Sequence, residues 1–177
     1  MRTQRWWACW ALCLVQACST TPRVAPGDEA TPPLTGRLGV QIDATAQQAA
    51  RSFSAAFTLR GDPGQGQLDL LSPLGTVMAQ ARWRPGRVVL TTPQGQTEYP
   101  DLDALTRQVL GESVPVAALF DWLKGRPWPD APSTAWPHDG FEQLGWQVDL
   151  AHLDQAHIQA RRAGEPVVTV RALLDPP

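Results

Sequence analysis

Cysteine is absent from almost the whole chain. The only cysteines in 177 residues are Cys9, Cys13 and Cys18, so none follows position 18. The rest of the sequence therefore has no thiol for a disulfide, a cysteine-based metal site or a cysteine nucleophile. A domain built without disulfides must be stabilised by its apolar core.

The chain also lacks an excess of positive charge and the common motifs of catalysis. Without Arg2 and Arg5, 13 basic and 17 acidic residues remain, a formal charge of −4. This balance argues against a nucleic-acid partner or a polybasic membrane patch. No serine lies in a G-x-S-x-G elbow, and the glycines cluster at turns without forming a phosphate loop. We therefore predict that the protein is not an enzyme.

Histidine is scarce, with only His138, His152 and His157. His152 and His157 are five residues apart, which would put them on opposite faces of a strand. Exposed or loop histidines are favoured over a metal site. We predict no metal site.

What is present begins with three zones at the N-terminus. Arg2 and Arg5 precede an apolar run over residues 6–15, and Ala17 stands directly before Cys18. The run is too short to span a membrane and is typical of a secretory signal. The end of this segment resembles a lipobox, which implies that Cys18 is lipidated and becomes the first mature residue. The alternative is a buried cysteine in an N-terminal helix.

The next segment predicts a tether. Residues 18–34 contain four prolines and no apolar periodicity, which favours a flexible connection. We therefore divide the chain into a signal peptide (1–17), a lipidated N-terminus with a proline-rich tether (18–34) and one domain (35–177). Ser19 replaces the aspartate that tends to retain enteric lipoproteins at the inner membrane, so the outer membrane is the expected location.

The domain begins with period-two alternation. Apolar residues alternate with polar ones from residue 35 to residue 99, with turn signals such as Pro85-Gly86 about every ten residues. This pattern predicts five or six strands of an antiparallel meander. Three or four more strands are predicted after a loop at 127–137 that is rich in proline and tryptophan, and the clearest lie at 145–150, 156–162 and 167–174.

Between these strands the period changes to that of helices. Asp101 is placed to cap a helix that ends at Gly111. Pro115 suits the first turn of a second helix, followed by Gly125. The predicted fold is α+β, with the two helices laid across one apolar face of the sheet. Alternation alone does not say whether the space between them is filled.

Two apolar features of the sequence do not point to catalysis. Trp83, Trp122 and Trp146 are large side chains that either fill an ordinary core or line a hollow. Leu74 stands between Pro73 and Gly75 at a turn that should be polar. An exposed leucine is often without function, but on a tethered protein it can also enter lipid.

Several segments, taken in order, resemble the LolB family of outer-membrane lipoprotein localisation factors. They are GRLGV at 36–40, SFSAAF at 52–57, LDLLSPLGT at 68–76, PVAALFDWLKG at 115–125 and GWQV at 145–148. The resemblance implies an unclosed antiparallel β-barrel, a curled sheet whose mid-chain helices lid a hydrophobic cavity. It also implies a monomer anchored in the inner leaflet of the outer membrane and facing the periplasm. Such a protein would receive triacylated lipoprotein cargo from a LolA-type periplasmic carrier and insert it into that membrane. The resemblance also implies that this step uses no cofactor and no nucleotide.

The resemblance also implies the site. Leu74, with Pro73, matches the family's protruding membrane-insertion loop. From strand face and size we expect these residues to line the cavity: Val40, Ile42, Phe57, Leu59, Leu68, Leu70, Trp83, Leu119, Trp122, Trp146 and Val148.

Two other functions stay open at this point. One is a tethered periplasmic carrier of another amphiphile, such as a glycolipid. The other is a lipid-anchored scaffold with a filled core.

Overall fold

The computed structural model describes residues 32–137 and 139–176, so Cys18, the predicted signal peptide and most of the predicted tether lie outside the described residues. Within these ranges, six strands are followed by two helices and five more strands. The first six strands are β1 (Leu34–Ile42), β2 (Arg51–Gly61), β3 (Gly66–Leu71), β4 (Val77–Arg84), β5 (Arg87–Thr92) and β6 (Gly95–Tyr99). The helices are α1 (Leu102–Leu110) and α2 (Val116–Trp122). The last five strands are β7 (Ser133–Trp136), β8 (Gly140–Gln143), β9 (Trp146–Asp149), β10 (His157–Arg162) and β11 (Val168–Leu174).

All of these strands form one antiparallel sheet. Its order is β6-β5-β4-β3-β2-β1-β11-β10-β9-β8-β7. Every neighbouring pair is consecutive in the chain except β1 and β11, where Leu38 lies opposite Ala172. The edge strands β6 and β7 are not paired with each other, so the sheet does not close. The predicted unclosed antiparallel sheet with two mid-chain helices is confirmed.

The sheet is curled around α2. Phe120 of α2 contacts Trp83 of β4, with ring centroids 5.8 Å apart, and Trp122 contacts Phe141 of β8 at 6.3 Å. In a flat sheet, β4 and β8 would be about 34 Å apart at the usual strand spacing. A helix of seven residues is only about 10 Å long. One short helix can touch both strands only because the sheet bends towards it.

Helix α1 has the predicted ends. The Asp101 carboxylate accepts a hydrogen bond from the Ala104 amide at 2.6 Å and satisfies one of the free N–H groups of the first turn. Gly111 ends the helix with a φ of 82°, where its amide donates to the Arg107 carbonyl. A residue with a side chain would be strained in this left-handed conformation.

Helix α2 depends on its surroundings. It has no side-chain cap, and Pro115 precedes its first residue rather than lying in its first turn. Six of its seven residues are buried. A helix this short is marginal alone, so tertiary packing stabilises it.

The prediction of a loop at 127–137 was wrong. This segment contains β7, and β8 follows it, so five strands follow the helices instead of three or four. Each of the two strands has only four residues, and β7 is an edge strand flanked by Pro132 and Pro137. A strand so short gives too few alternations to be recognised from periodicity.

The core lies on the inner face of the curl. Alternating residues of β1, such as Leu38, Val40 and Ile42, point inwards and are buried with α2. The outer face carries the polar partners of the alternation, including Arg37 and Gln41. In the described part of the chain, neither helix is long and apolar enough to cross a membrane.

Candidate functional site

An apolar pocket of about 170 Å³ lies between α1 and the inner face of the sheet. Its walls come from β1 to β5, both helices with the segment that joins them, and β11. It is lined by Leu38, Val40, Phe53, Leu68, Leu70, Ala79, Ala81, Trp83, Leu90, Thr92, Leu102, Leu105, Thr106, Val109, Leu110, Val114, Val116, Leu119 and Val170.

Small side chains on β4 leave this space. Ala79 and Ala81 lie opposite Leu70 and Leu68 of β3, so two methyl groups stand where larger residues would fill the gap. The apolar side of α1 covers the space from the other direction. The combination of a small-residue strand and an overlying helix is what keeps the core open here.

The lining carries no charge. Its only polar side chains are Thr92 and Thr106. The Thr106 hydroxyl donates to the Asp103 carbonyl and accepts from the buried Val114 amide, each at 3.2 Å. Because that hydroxyl is already engaged within the protein, the pocket suits an aliphatic ligand.

Two apolar residues are open to solvent at the margin of the pocket. Val109 of α1 is 53% exposed and Phe53 of β2 is 36% exposed, although both line the pocket. They mark its mouth, near the C-terminal end of α1.

The structure divides the eleven residues expected to line a cavity. Five of them border the pocket, namely Val40, Leu68, Leu70, Trp83 and Leu119. The other six belong to the same buried core but not to the pocket lining, and they are Ile42, Phe57, Leu59, Trp122, Trp146 and Val148.

Around α2 the inner face is occupied by aromatic rings. Trp122 packs against Phe141 and against Trp146, whose ring centroid is 6.2 Å away. The Trp122 indole N–H donates to Gln143 Oε1 at 2.7 Å, and Gln143 in turn donates to the Trp128 and Ala131 carbonyls. A buried amide with these partners is satisfied and fixes the loop after α2. We call β8–β10 with α2 the aromatic half, and β1–β5 with α1 the pocket half.

The β3–β4 connection presents one leucine to solvent. Leu74 is 93% exposed. The Gly75 amide donates to the Ser72 carbonyl at 2.9 Å, which makes Pro73 and Leu74 the central residues of a tight turn. The Ser72 hydroxyl also accepts from the Thr76 amide at 3.2 Å. Leu74 is therefore held outwards on a braced turn, next to the half-exposed Val77.

The prediction that His152 and His157 lie on opposite faces was wrong. Their rings stack with centroids 6.2 Å apart. His152 precedes a 3₁₀ turn (Leu153–Gln155) instead of sharing a strand with His157, and the His157 amide donates to the His152 carbonyl. No group of three potential metal ligands occurs among the described residues. His138 lies outside them.

Half of the lining residues that the sequence prediction left out come from α1 and β4. Leu102, Leu105, Val109 and Leu110 form the apolar stripe of α1, and Ala79 and Ala81 alternate with the same period as Trp83. The signal lay in the helical period of the apolar residues of α1 and in the alternation along β4. The prediction selected large side chains and therefore overlooked Ala79 and Ala81, although small residues are the ones that leave space.

Fold and pocket together define a class: a curled, unclosed antiparallel sheet with an uncharged pocket beneath a mid-chain helix. The sequence model of the family described as "Outer membrane lipoprotein LolB" matches residues 33–163. The chain belongs to this family.

Individual relatives agree with the family match. An outer-membrane lipoprotein LolB of Bordetella petrii is 35% identical over 162 residues, covering 86% of this chain and 80% of the relative. The protein of the same name from Cupriavidus necator is 32% identical, covering 92% and 90%. That from Chromobacterium violaceum is 29% identical, covering 77% and 76%.

Proposed function

We propose that this protein is a lipid-anchored acceptor in the outer membrane. It takes lipoproteins from a LolA-type periplasmic carrier, shelters their acyl chains in the pocket and inserts them into the membrane. Membership of the LolB family supports the task. The observation that carries the proposal is the uncharged pocket beneath α1.

The energetics favour such a shelter. Each acyl methylene removed from water is worth roughly 0.8 kcal/mol, so a triacylated protein does not cross an aqueous space unprotected. Transfer without ATP requires the acceptor to bind the chains at least as well as the carrier does. Release then requires the bilayer to bind them better still. Neither step needs a catalytic residue or a cofactor.

Loading requires the pocket to widen. Pockets for small molecules commonly measure about 300–1,000 Å³, and this one has about 170 Å³. We propose that α1 moves outwards as chains enter. Helix α1 covers the pocket through apolar side chains, and Val109 at its C-terminal end is already half exposed to solvent.

Leu74 is the proposed contact with the bilayer. Burial of one leucine side chain in hydrocarbon is worth about 1.5–3 kcal/mol. The braced turn and the 93% exposure of Leu74 support this role, because the side chain is presented without any rearrangement. Pro73 contributes by fixing the backbone of the turn.

The anchor places these parts at their site of action. Lipid on Cys18, in the inner leaflet of the outer membrane, would hold the domain on the periplasmic side through the segment that precedes β1. In this arrangement a monomer is sufficient, since pocket and loop belong to one chain.

The test is a two-step transfer assay with the purified protein. Radiolabelled lipoprotein bound to the carrier LolA is mixed with the protein, and the loaded protein is then mixed with liposomes. Leu74→Glu is expected to accept cargo normally and to deliver it at least several-fold more slowly. Leu173→Glu is the matched control, since Leu173 is a half-exposed leucine of β11.

Two results would refute the proposal. Failure of the wild-type protein to accept lipoprotein would refute acyl-chain reception and would favour a carrier of another amphiphile. Normal delivery by Leu74→Glu would refute only the proposed role of the Leu74 turn.

A further inference from the structure

Two polar side chains converge beside the mouth of the pocket. Arg51 begins β2 on its inner face, opposite Ile42 and two residues before Phe53. A side-chain carbon placed on Gly111 would lie 3.3 Å from Arg51 Nη1 and 4.0 Å from Gln48 Nε2. Gly111 directly follows Leu110, which lines the pocket. Both donors therefore stand between the β2 and α1 margins of the mouth.

Neither donor has an acceptor within the described part of the chain. The Gln48 side-chain nitrogen is buried without a hydrogen-bond partner there. Arg51, which is exposed to solvent, takes part in none of the side-chain hydrogen bonds or ion pairs of those residues. The nearby carboxylate of Glu112 is engaged by Arg162, which also donates to the Ser113 carbonyl at 3.1 Å.

Gln48 is also held in place. The Thr45 hydroxyl accepts from the Gln48 amide at 3.1 Å, and the Thr45 amide donates to the Gln48 carbonyl at 2.8 Å. The backbone of this turn is thus fixed while the side-chain amide has no acceptor. Buried donors in proteins are nearly always satisfied, so an orphaned one requires an explanation.

We propose that Gln48 and Arg51 form a polar subsite for the oxygen atoms at the head of an acyl chain. A chain that enters past Phe53 and Val109 brings its ester or amide carbonyl to this point. Gln48 Nε2 and the Arg51 guanidinium would donate to that oxygen while the aliphatic part occupies the pocket. This inference rests on the proposed function and adds to it the recognition of the head group.

The alternative role for Arg51 is a purely structural one, and the experiment must distinguish it from ligand binding. It lies at the C-terminal end of α1, where positive charge is favourable whether or not a ligand is bound. A purely structural arginine would affect all ligands equally. A ligand-binding arginine discriminates between an anionic and a neutral head.

The experiment measures two acyl probes on the full-length lipidated protein in nanodiscs. The probes are dansyl-undecanoic acid and its methyl ester, and dansyl emission is excited through the tryptophans so that probe dissolved in lipid contributes little. Empty nanodiscs provide the blank. The variants are Arg51→Met, Gln48→Leu and, as a matched control, Arg37→Met on the outer face of β1.

We expect Arg51→Met to weaken binding of the acid about tenfold, because a charge-assisted hydrogen bond is lost. Binding of the ester should fall only about twofold, and Arg51→Lys should restore part of the preference for the acid. Gln48→Leu should weaken both probes about threefold. Arg37→Met should change neither.

Equal losses for acid and ester in Arg51→Met, or no loss in either variant, would overturn the subsite while leaving the acyl pocket intact. Wild-type protein that binds neither probe would overturn both.

Discussion

The pocket half and the aromatic half share one sheet and one alternation, yet only the first contains the pocket. Beneath α1, Ala79 and Ala81 face a helix that covers them without filling the space. Around α2, rings of Trp122, Phe141 and Trp146 pack against one another, and Gln143 joins the helix to the following loop. The comparison indicates that the aromatic half fixes the curl of the sheet, whereas the pocket half has space for a ligand.

The largest expected effect comes from breaking the aromatic half. Trp122→Ala should lower the free energy of unfolding by about 3–5 kcal/mol, since it leaves a cavity and removes a hydrogen bond to buried Gln143. Denaturant unfolding measures this loss. Leu74→Ala, at an exposed position, should change stability by less than about 0.5 kcal/mol. Comparable losses in both variants would contradict the rigid role of this half.

A matched pair of alanines compares the two halves directly. Ala160→Leu enlarges a buried β10 residue that does not line the pocket, and overpacking should cost about 1–3 kcal/mol. Ala81→Leu extends into existing space, so it should cost less stability than Ala160→Leu while weakening binding of acyl probes. Unfolding and probe titrations of both variants provide the measurements. An equal cost at the two positions would show that the pocket half is as tightly filled as its neighbour.

Asp101→Ala tests how firmly α1 is held over the pocket. Loss of the cap to Ala104 should cost about 1 kcal/mol. It should also speed amide exchange in the first turn of α1, without affecting α2. Asp130→Ala, at an exposed aspartate outside both helices, serves as the control. Faster exchange in α2 as well would mean that the halves open together.

The smallest effect is expected at the edge of the pocket half. A hydrogen bond from Arg87 holds the pKa of Glu98 below its ordinary value, opposed by slight desolvation. A depressed carboxylate pKa contributes stability at neutral pH that is lost as the pH falls through it. Glu98→Gln should therefore be slightly less stable than wild type at neutral pH, and the difference should vanish in acid. The urea unfolding midpoints of both proteins, measured from neutral to acidic pH, test this prediction. A stability difference that grows in acid would contradict it.

The sequence predicted the parts of this fold that depend on local chemistry. Alternation located the long strands, and Asp101 and Gly111 marked the ends of α1, because caps and turns are decided by neighbouring residues. Strands β7 and β8 were missed, since each has only four residues and therefore carries little periodicity.

The candidate site was less accessible to prediction. Val40 and Ile42 share a face of β1 and are both buried, but only Val40 lines the pocket. The difference depends on what lies opposite each residue after the sheet curls. Similarly, nothing local distinguishes Trp83 at the pocket from Trp146 in the aromatic half. Gln48 and Arg51 lie about sixty positions from Gly111 in the chain, so the local sequence pattern does not predict that they come together.

The pairing of β1 with β11 has a consequence for how the protein acquires its structure. Each of the other strand pairs joins chain neighbours and can form as a local hairpin, whereas β1 and β11 bring Leu38 to Ala172. Closing a loop of that length is slow relative to hairpin formation. We therefore expect two preformed meanders to dock late, once the last strand is available for pairing. Until then, the apolar inner faces of both meanders are exposed to solvent, which makes the partly folded chain prone to aggregation.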